Sequence, residues 1–192
     1  MPWDNERFQN LKEQVARSLQ GKPSPLGIPF YLYTYSPEDE TVCIREFQGL
    51  ERFFRNEGFH VQIIYLGQVL SHVLKQTPYL SPIGVEIEKQ SRDKLEKELT
   101  RYLPEKVSKA LLLGIPGLFE PLKGGEQSKG VFLLRAGALF PFVHVSQILA
   151  YLEGQTRWTV VVAFPGSRSP SHPERLRFLN ETEGMYYRAM IF

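Results

Sequence analysis

The chain contains little that would tie it to an oxidising or membrane setting. Cys43 is the single cysteine in 192 residues, so neither an intrachain disulfide nor a cysteine-based zinc site is available. No apolar run approaches the roughly 18–20 residues that span a bilayer. The opening residues, MPWDNERFQNLKEQ, are charged and lack the apolar core of a signal peptide. We therefore expect a soluble, cytoplasmic protein.

The charge balance is also uninformative about partners. The 23 basic and 21 acidic residues leave a net charge of +2, too even to demand nucleic acid or an anionic membrane. Hydrophobic residues make up 42% and charged residues 23%, a balance typical of folded proteins. The length fits one domain spanning 1–192.

Apolar runs alternate with helical patterns along most of the chain. Continuous apolar segments at 28–35, 61–67, 131–135 and 158–164 predict buried strands. Amphipathic helical periodicity falls before the first of these segments and between them. This order predicts a three-layer α/β domain with a mainly parallel sheet of about four strands and helices on both faces.

Three segments add detail to this architecture. Residues 1–22 predict an N-terminal helix packed on the domain or appended to it, and 114–130 form a Gly/Pro-rich connector. Pro104 interrupts the leucine pattern of 91–113, which predicts a kink or two abutting helices. At the end, RLRFL and MYYRAMIF flank NETEG, which predicts an antiparallel β-hairpin.

The segment GGEQSKG at 124–130 superficially resembles a phosphate-binding loop. Such a loop must follow a strand and precede a helix, whereas this segment precedes the strand VFLLR. We interpret it as a connector.

The turn after that strand is a better candidate for a ligand site. Arg135 closes the strand, Gly137 lies in the turn, and Ser146 is placed to cap the next helix at the carboxyl edge of the sheet. Arg135 is suited to binding a carboxylate or phosphate. Alternatively, it pairs with an acid of the turn SPEDE (36–40) and fastens two loops, which is the interpretation we favour.

No assembled catalytic set is evident. The loop FPGSRSPSHPE lacks the Gly-x-Ser-x-Gly spacing of a nucleophile elbow. The four histidines, including His144, show no metal-binding spacing, and nearby acids disfavour a thiolate at Cys43. We expect no cofactor, no metal and no enzymatic activity.

The C-terminal third is locally basic and aromatic. It carries arginines at 168, 175, 177 and 188, with Phe178, Tyr186 and Tyr187 nearby. These residues suit an acidic protein partner or single-stranded nucleic acid. We favour a protein partner, because the net charge of the chain is small.

Several separated segments resemble one family. VFLLRAGALFPFVHVSQILAYL, WTVVVAFPG and LRFLNETEGMYYRAMIF resemble, in the same order, the C-terminal half of BrxB proteins of BREX phage-defence systems. The matching positions are Arg135, Gly137, Ala138, Pro141, Val145, Ser146, Pro165, Gly166, Tyr186, Tyr187, Arg188 and Ala189. His144 stands where the family has arginine, and a histidine is not a fixed cation near neutral pH. The N-terminal half is similar only in layout.

The resemblance implies an accessory protein that works beside a methyltransferase, an ATPase and the phosphatase-like PglZ protein. A PglZ-like protein is the expected partner, and Phe178, Tyr186, Tyr187 and Arg188 are the candidate contact residues. Arg135, Gly137, His144 and Ser146 are the candidates for anchoring a ligand or a loop. An alternative is a degenerate nucleotide- or phosphate-binding domain that uses Arg135 and the helix start at Ser146.

Overall fold

The architecture follows from strands that are apolar on both faces. A computed structural model describes residues 6–22, 24–77, 92–124, 128–172, 175–179, 182–183 and 187–192. The strands are β1 (Phe30–Tyr35), β2 (His60–Tyr65), β3 (Lys129–Leu134), β4 (Thr159–Arg168), β5 (Leu176–Phe178), β6 (Thr182–Glu183) and β7 (Met190–Ile191). The helices are α1 (Glu6–Leu19), α2 (Glu40–Asn56), α3 (Leu66–Lys75), α4 (Arg92–Leu113) and α5 (Val145–Leu152).

Five strands form a parallel sheet in the order β2-β3-β4-β1-β7. The sheet is central, with α1 and α2 on one face and α3, α4 and α5 on the other. The predicted three-layer α/β fold with a mainly parallel sheet is confirmed.

Each central strand supplies side chains to both cores. In β3, Val131 and Leu133 belong to the core under α3, α4 and α5, whereas Phe132 and Leu134 belong to the core under α1 and α2. Successive side chains of a strand point to opposite faces, so a strand covered on both sides needs an uninterrupted apolar run. The sequence pattern therefore has a direct structural cause.

Helix α1 packs on the sheet through one face. Phe8, Leu11, Val15 and Leu19, spaced by three and four residues, are all buried. The Phe8 ring meets the rings of Tyr33 and Phe47 edge-on, at centroid distances of 5.3 and 5.7 Å.

Helix α4 continues through Pro104 as one helix, so of the two predicted alternatives, a kink or two abutting helices, the second is wrong. Leu103, Val107 and Leu111 are fully buried on one side of it. Burying each of these side chains contributes about 1.5–3 kcal/mol. Their sum exceeds the roughly 3 kcal/mol that a proline in a helix interior costs.

Within the described residues, no helix is both long and apolar enough to cross a membrane.

The described part of the 114–130 connector is held against the domain. Leu122 is fully buried, and the buried Gln62 side chain donates to Glu120 O at 3.2 Å and accepts from Glu120 N at 3.0 Å. Residues 125–127 lie outside the described residues.

The C-terminal hairpin is formed by different strands from those that the sequence pattern predicts. Strand β5 pairs antiparallel with both β4 and β6, so the two strands of the hairpin are Leu176–Phe178 and Thr182–Glu183. The chain end instead runs parallel to β1, with Met190 opposite Tyr31 and Ile191 opposite Leu32. The final apolar segment thus extends the main sheet.

Candidate functional site

The loops at the carboxyl ends of β1, β2, β3 and β4 meet at one edge of the sheet. This is the edge at which open α/β sheets usually bind ligands. Arg135 directly follows β3, as the sequence predicts, and adopts a left-handed backbone conformation with φ of 61°. A non-glycine residue in this region stores about 1–3 kcal/mol of strain, so the turn is held by its surroundings.

The Arg135 side chain is exposed and lines a cavity of about 640 Å³ beside α3. The other described lining residues are Tyr65, Gly67, Gln68, Ser71, His72, Lys75 and Leu118. None of them belongs to the start of α5. This cavity, as far as its described lining shows, therefore does not include Ser146 beside Arg135.

The acidic turn is not the partner of Arg135. Within the described part of the chain, Arg135 forms no ion pair with Glu38, Asp39 or Glu40. Glu40 instead accepts a hydrogen bond of 2.5 Å from the Tyr35 hydroxyl. Burial raises the pKa of Tyr35, the Glu40 contact raises it further, and the positive charge of Arg135 opposes both. Glu40 is thus engaged within its own loop, by the tyrosine five residues before it.

Helix α5 begins two residues earlier than a cap at Ser146 would place it. Its N-cap is His144, whose backbone N–H donates to Gln147 Oε1 at 2.9 Å. Gln147 can reach back because it occupies the third position of the helix, as in a capping box. Ser146 is therefore an intrahelical residue, and the expectation that it caps the helix is corrected.

Gly137 is a packing position in the short 3₁₀ turn Ala136–Leu139. A Cβ built there would lie 3.6 Å from both Leu179 Cδ2 and Pro165 Cγ, an ordinary van der Waals separation.

The predicted partner-contact residues separate into buried and exposed groups. Phe178 and Tyr187 are only 7% and 6% exposed, and both rings meet Phe164 edge-on, at 5.1 and 5.5 Å. Burial raises the pKa of Tyr187 to about 12. These two side chains pack in the core, whereas Arg188 is 63% exposed and forms an ion pair with Glu153. Tyr186 lies outside the described residues.

A second cavity at the same edge includes Arg7, which belongs to no motif of the sequence. Arg7 of α1 lines a cavity of about 700 Å³ together with Arg168 and Arg177. No sequence signal links residue 7 to residue 168, because only the packing of α1 on the sheet brings them together.

The described residues contain no cluster of three or more histidine, cysteine, aspartate or glutamate side chains arranged to hold a metal ion. His60 instead contacts Glu120 at 3.3 Å, and its ring meets Trp158 edge-on at 5.7 Å.

Cys43 is buried, and its pKa is raised by burial and then by Glu40 and Asp39. Its thiol is therefore a packing group.

The fold is that of a three-layer α/β protein with a mainly parallel sheet. Residues 63–192 match a family model described as "BREX protein BrxB". The chain therefore belongs to the BrxB family, which makes it a BREX phage-defence component. The match begins within β2, so α1, β1 and α2 lie outside it. Comparison with curated proteins and with solved structures finds no match.

Proposed function

We propose that the chain is a non-catalytic accessory subunit of a BREX system that acts by contacting a partner protein, with a PglZ-like protein as the partner. Family membership carries this proposal, because it places the chain among the components of a defence system.

The roles of the family-like residues support a non-catalytic subunit. Tyr187 and Ala189 pack in the core, and Gly166 permits the close approach of β4 and β5. Gly137 packs beside Pro165. A catalytic motif would place polar groups around a reacting atom, whereas these four residues pack in the core or beside neighbouring segments of the chain.

Arg188 is the proposed contact residue on the partner-facing surface. Its guanidinium is exposed, and Glu153 holds it at the point where α5 ends. An arginine kept in one orientation by a neighbouring carboxylate loses less side-chain freedom on binding. Arginine is also enriched among residues that dominate binding energy at interfaces.

Quantitative co-purification with the PglZ-like protein of the same system tests the proposal. We expect Arg188→Glu to weaken the complex at least about tenfold, the equivalent of about 1.4 kcal/mol. Arg101→Glu, at an exposed position on α4, is the matched control and should bind as the wild type does.

A charge exchange distinguishes contact with the partner from a purely local role. The double variant Arg188→Glu with Glu153→Arg retains the intramolecular ion pair but reverses both charges. Continued weak binding by the double variant supports direct contact. Wild-type binding by the double variant would place the partner elsewhere, and no complex with the wild type would refute the PglZ-like partner.

A further inference from the structure

The second cavity lies where two neighbouring strands send the chain to opposite faces of the sheet. Strand β1 is followed by α2 on one face, and β4 is followed by β5, whose Leu176 and Phe178 pack on the other. The two strands run in register to Tyr35 and Pro165. Such a divergence opens a crevice outside the carboxyl ends of a parallel sheet, which is the common ligand position in this architecture.

The described lining of this crevice is basic and rich in hydroxyl groups. Three guanidinium groups contribute, from Arg7 on α1, Arg168 on β4 and Arg177 on β5. The remaining lining residues are Thr34, Tyr35, Ser36, Gly166 and Ser167. No Asp or Glu side chain belongs to this described lining, and the adjacent Glu40 is engaged by the Tyr35 hydroxyl.

Arg7 is held in place without losing its charge. Its Nη2 donates to Thr34 O at 3.0 Å and to Thr34 Oγ1 at 2.6 Å. Its guanidinium also lies 5.3 Å from the centroid of the Tyr33 ring. These partners are uncharged, and a guanidinium has five N–H donors, so donors remain for an anion.

Two more arginines, one on β4 and one on β5, line the same crevice. Arg168 Nη2 donates to Ile191 O at 2.9 Å. Arg177 is half-buried, lies opposite Ser167 in the β4–β5 ladder, and has no carboxylate partner among the described residues. Opposite residues in an antiparallel pair share a face of the sheet. The ladder therefore presents the Arg177 guanidinium and the Ser167 hydroxyl together.

Gly166 makes this arrangement possible. A Cβ at this position would lie 2.0 Å from Arg177 O, so only glycine lets the arginine-bearing strand approach β4 this closely. The approach sets the separation between the arginines of the two strands.

We propose that this crevice binds the phosphate group of a small phosphorylated molecule of nucleotide size. Guanidinium groups match phosphate geometry bidentately, and three of them line this crevice. A cavity of about 700 Å³ falls within the size range of small-molecule sites. The basic groups converge on one cavity and the chain carries a net charge of only +2, which favours a compact ligand over a nucleic-acid polymer. This site is independent of the proposed partner contact.

Isothermal titration calorimetry on the full chain tests the site with four probes at constant ionic strength. The probes are inorganic phosphate, adenosine 5′-monophosphate, adenosine and a single-stranded DNA oligonucleotide. We expect phosphate and the monophosphate to bind and adenosine to give no heat. The affinity of Arg7→Gln and of Arg177→Gln should fall at least about tenfold, since each loses charged hydrogen bonds.

The control is Arg101→Gln, which removes an exposed arginine distant in sequence and should leave binding unchanged. Unfolding midpoints without ligand confirm that each variant is folded. Absence of heat with both phosphate probes at millimolar concentration overturns the proposal, as does unchanged binding in both variants. Tighter binding of the oligonucleotide than of the monophosphate, lost in the same variants, would replace the small ligand by a polymer.

Discussion

Replacing Gly166 by alanine tests the close approach between β4 and β5. The new methyl carbon would lie 2.0 Å from Arg177 O and 3.0 Å from Phe164 Cε1. The nearer atom belongs to the backbone of the paired strand, so no side-chain rotation relieves the contact. The strands must separate, and the pairing of Gly166 with Phe178 is lost.

The expected cost is large for a single methyl group. Overpacking a well-filled site typically costs about 1–3 kcal/mol, and a clash with backbone belongs at the upper end, near about 3 kcal/mol. A chain of this size loses about 2–4 °C of midpoint per kcal/mol. We therefore expect thermal unfolding, followed by circular dichroism, to shift down by about 6–12 °C.

Gly49→Ala is the matched control for the same substitution. A Cβ at Gly49 in α2 meets nothing within 4 Å, and alanine is favoured over glycine in a helix by about 1 kcal/mol. The midpoint should therefore rise slightly in this variant. A wild-type midpoint in Gly166→Ala, or equal losses in the two variants, would refute the steric reasoning.

Two further predictions concern packing and ionisation. Leu103→Ala removes a fully buried side chain and should lower the free energy of unfolding, measured in urea, by about 2–5 kcal/mol. The control Leu113→Ala, at a 51% exposed position, should change it by less than about 0.5 kcal/mol. Similar losses in the two variants would contradict the assignment of Leu103 to the core. Folding raises the pKa of Tyr187 from 10.0 to about 12, so the native state retains a proton that the unfolded state has released, and stability falls as the pH rises from 10 through 12. Between pH 10 and 12, Tyr187→Phe should therefore lose less stability than the wild type. If the urea midpoints of the two proteins fell equally over this pH range, the Tyr187 phenol would not be buried as described.

The candidate site was only partly accessible to sequence reasoning. Arg135 could be placed at the carboxyl edge because it ends a strand of a parallel sheet. Its neighbours could not be identified, since α3, Leu118 and Tyr65 converge on it from distant parts of the chain. The acidic turn was a plausible partner by charge alone, but the Tyr35 hydroxyl, which lies next to it, engages Glu40.

The strands of the C-terminal segment were likewise predictable from the sequence, but their pairing was not. Both apolar segments there could be recognised as strands, but strand propensity does not specify the pairing partner. The sequence pattern predicts a hairpin because the two segments are neighbours along the chain. The end of the chain instead pairs with β1, and Thr34 N donates to Phe192 O at 2.9 Å across 158 residues.

By itself, the sequence determined the elements and their layers, because apolar periodicity reflects which faces of a helix or strand are buried. Its motif order also determined membership of the BrxB family. Only the tertiary structure decided which side chains share a cavity. Arg7, Arg168 and Arg177 lie far apart along the chain and carry no common motif, yet the packing of α1 on the sheet and the β4–β5 ladder bring them together. Likewise, burial decided that Phe178 and Tyr187 pack in the core while Arg188 faces solvent, a difference that residue type does not reveal.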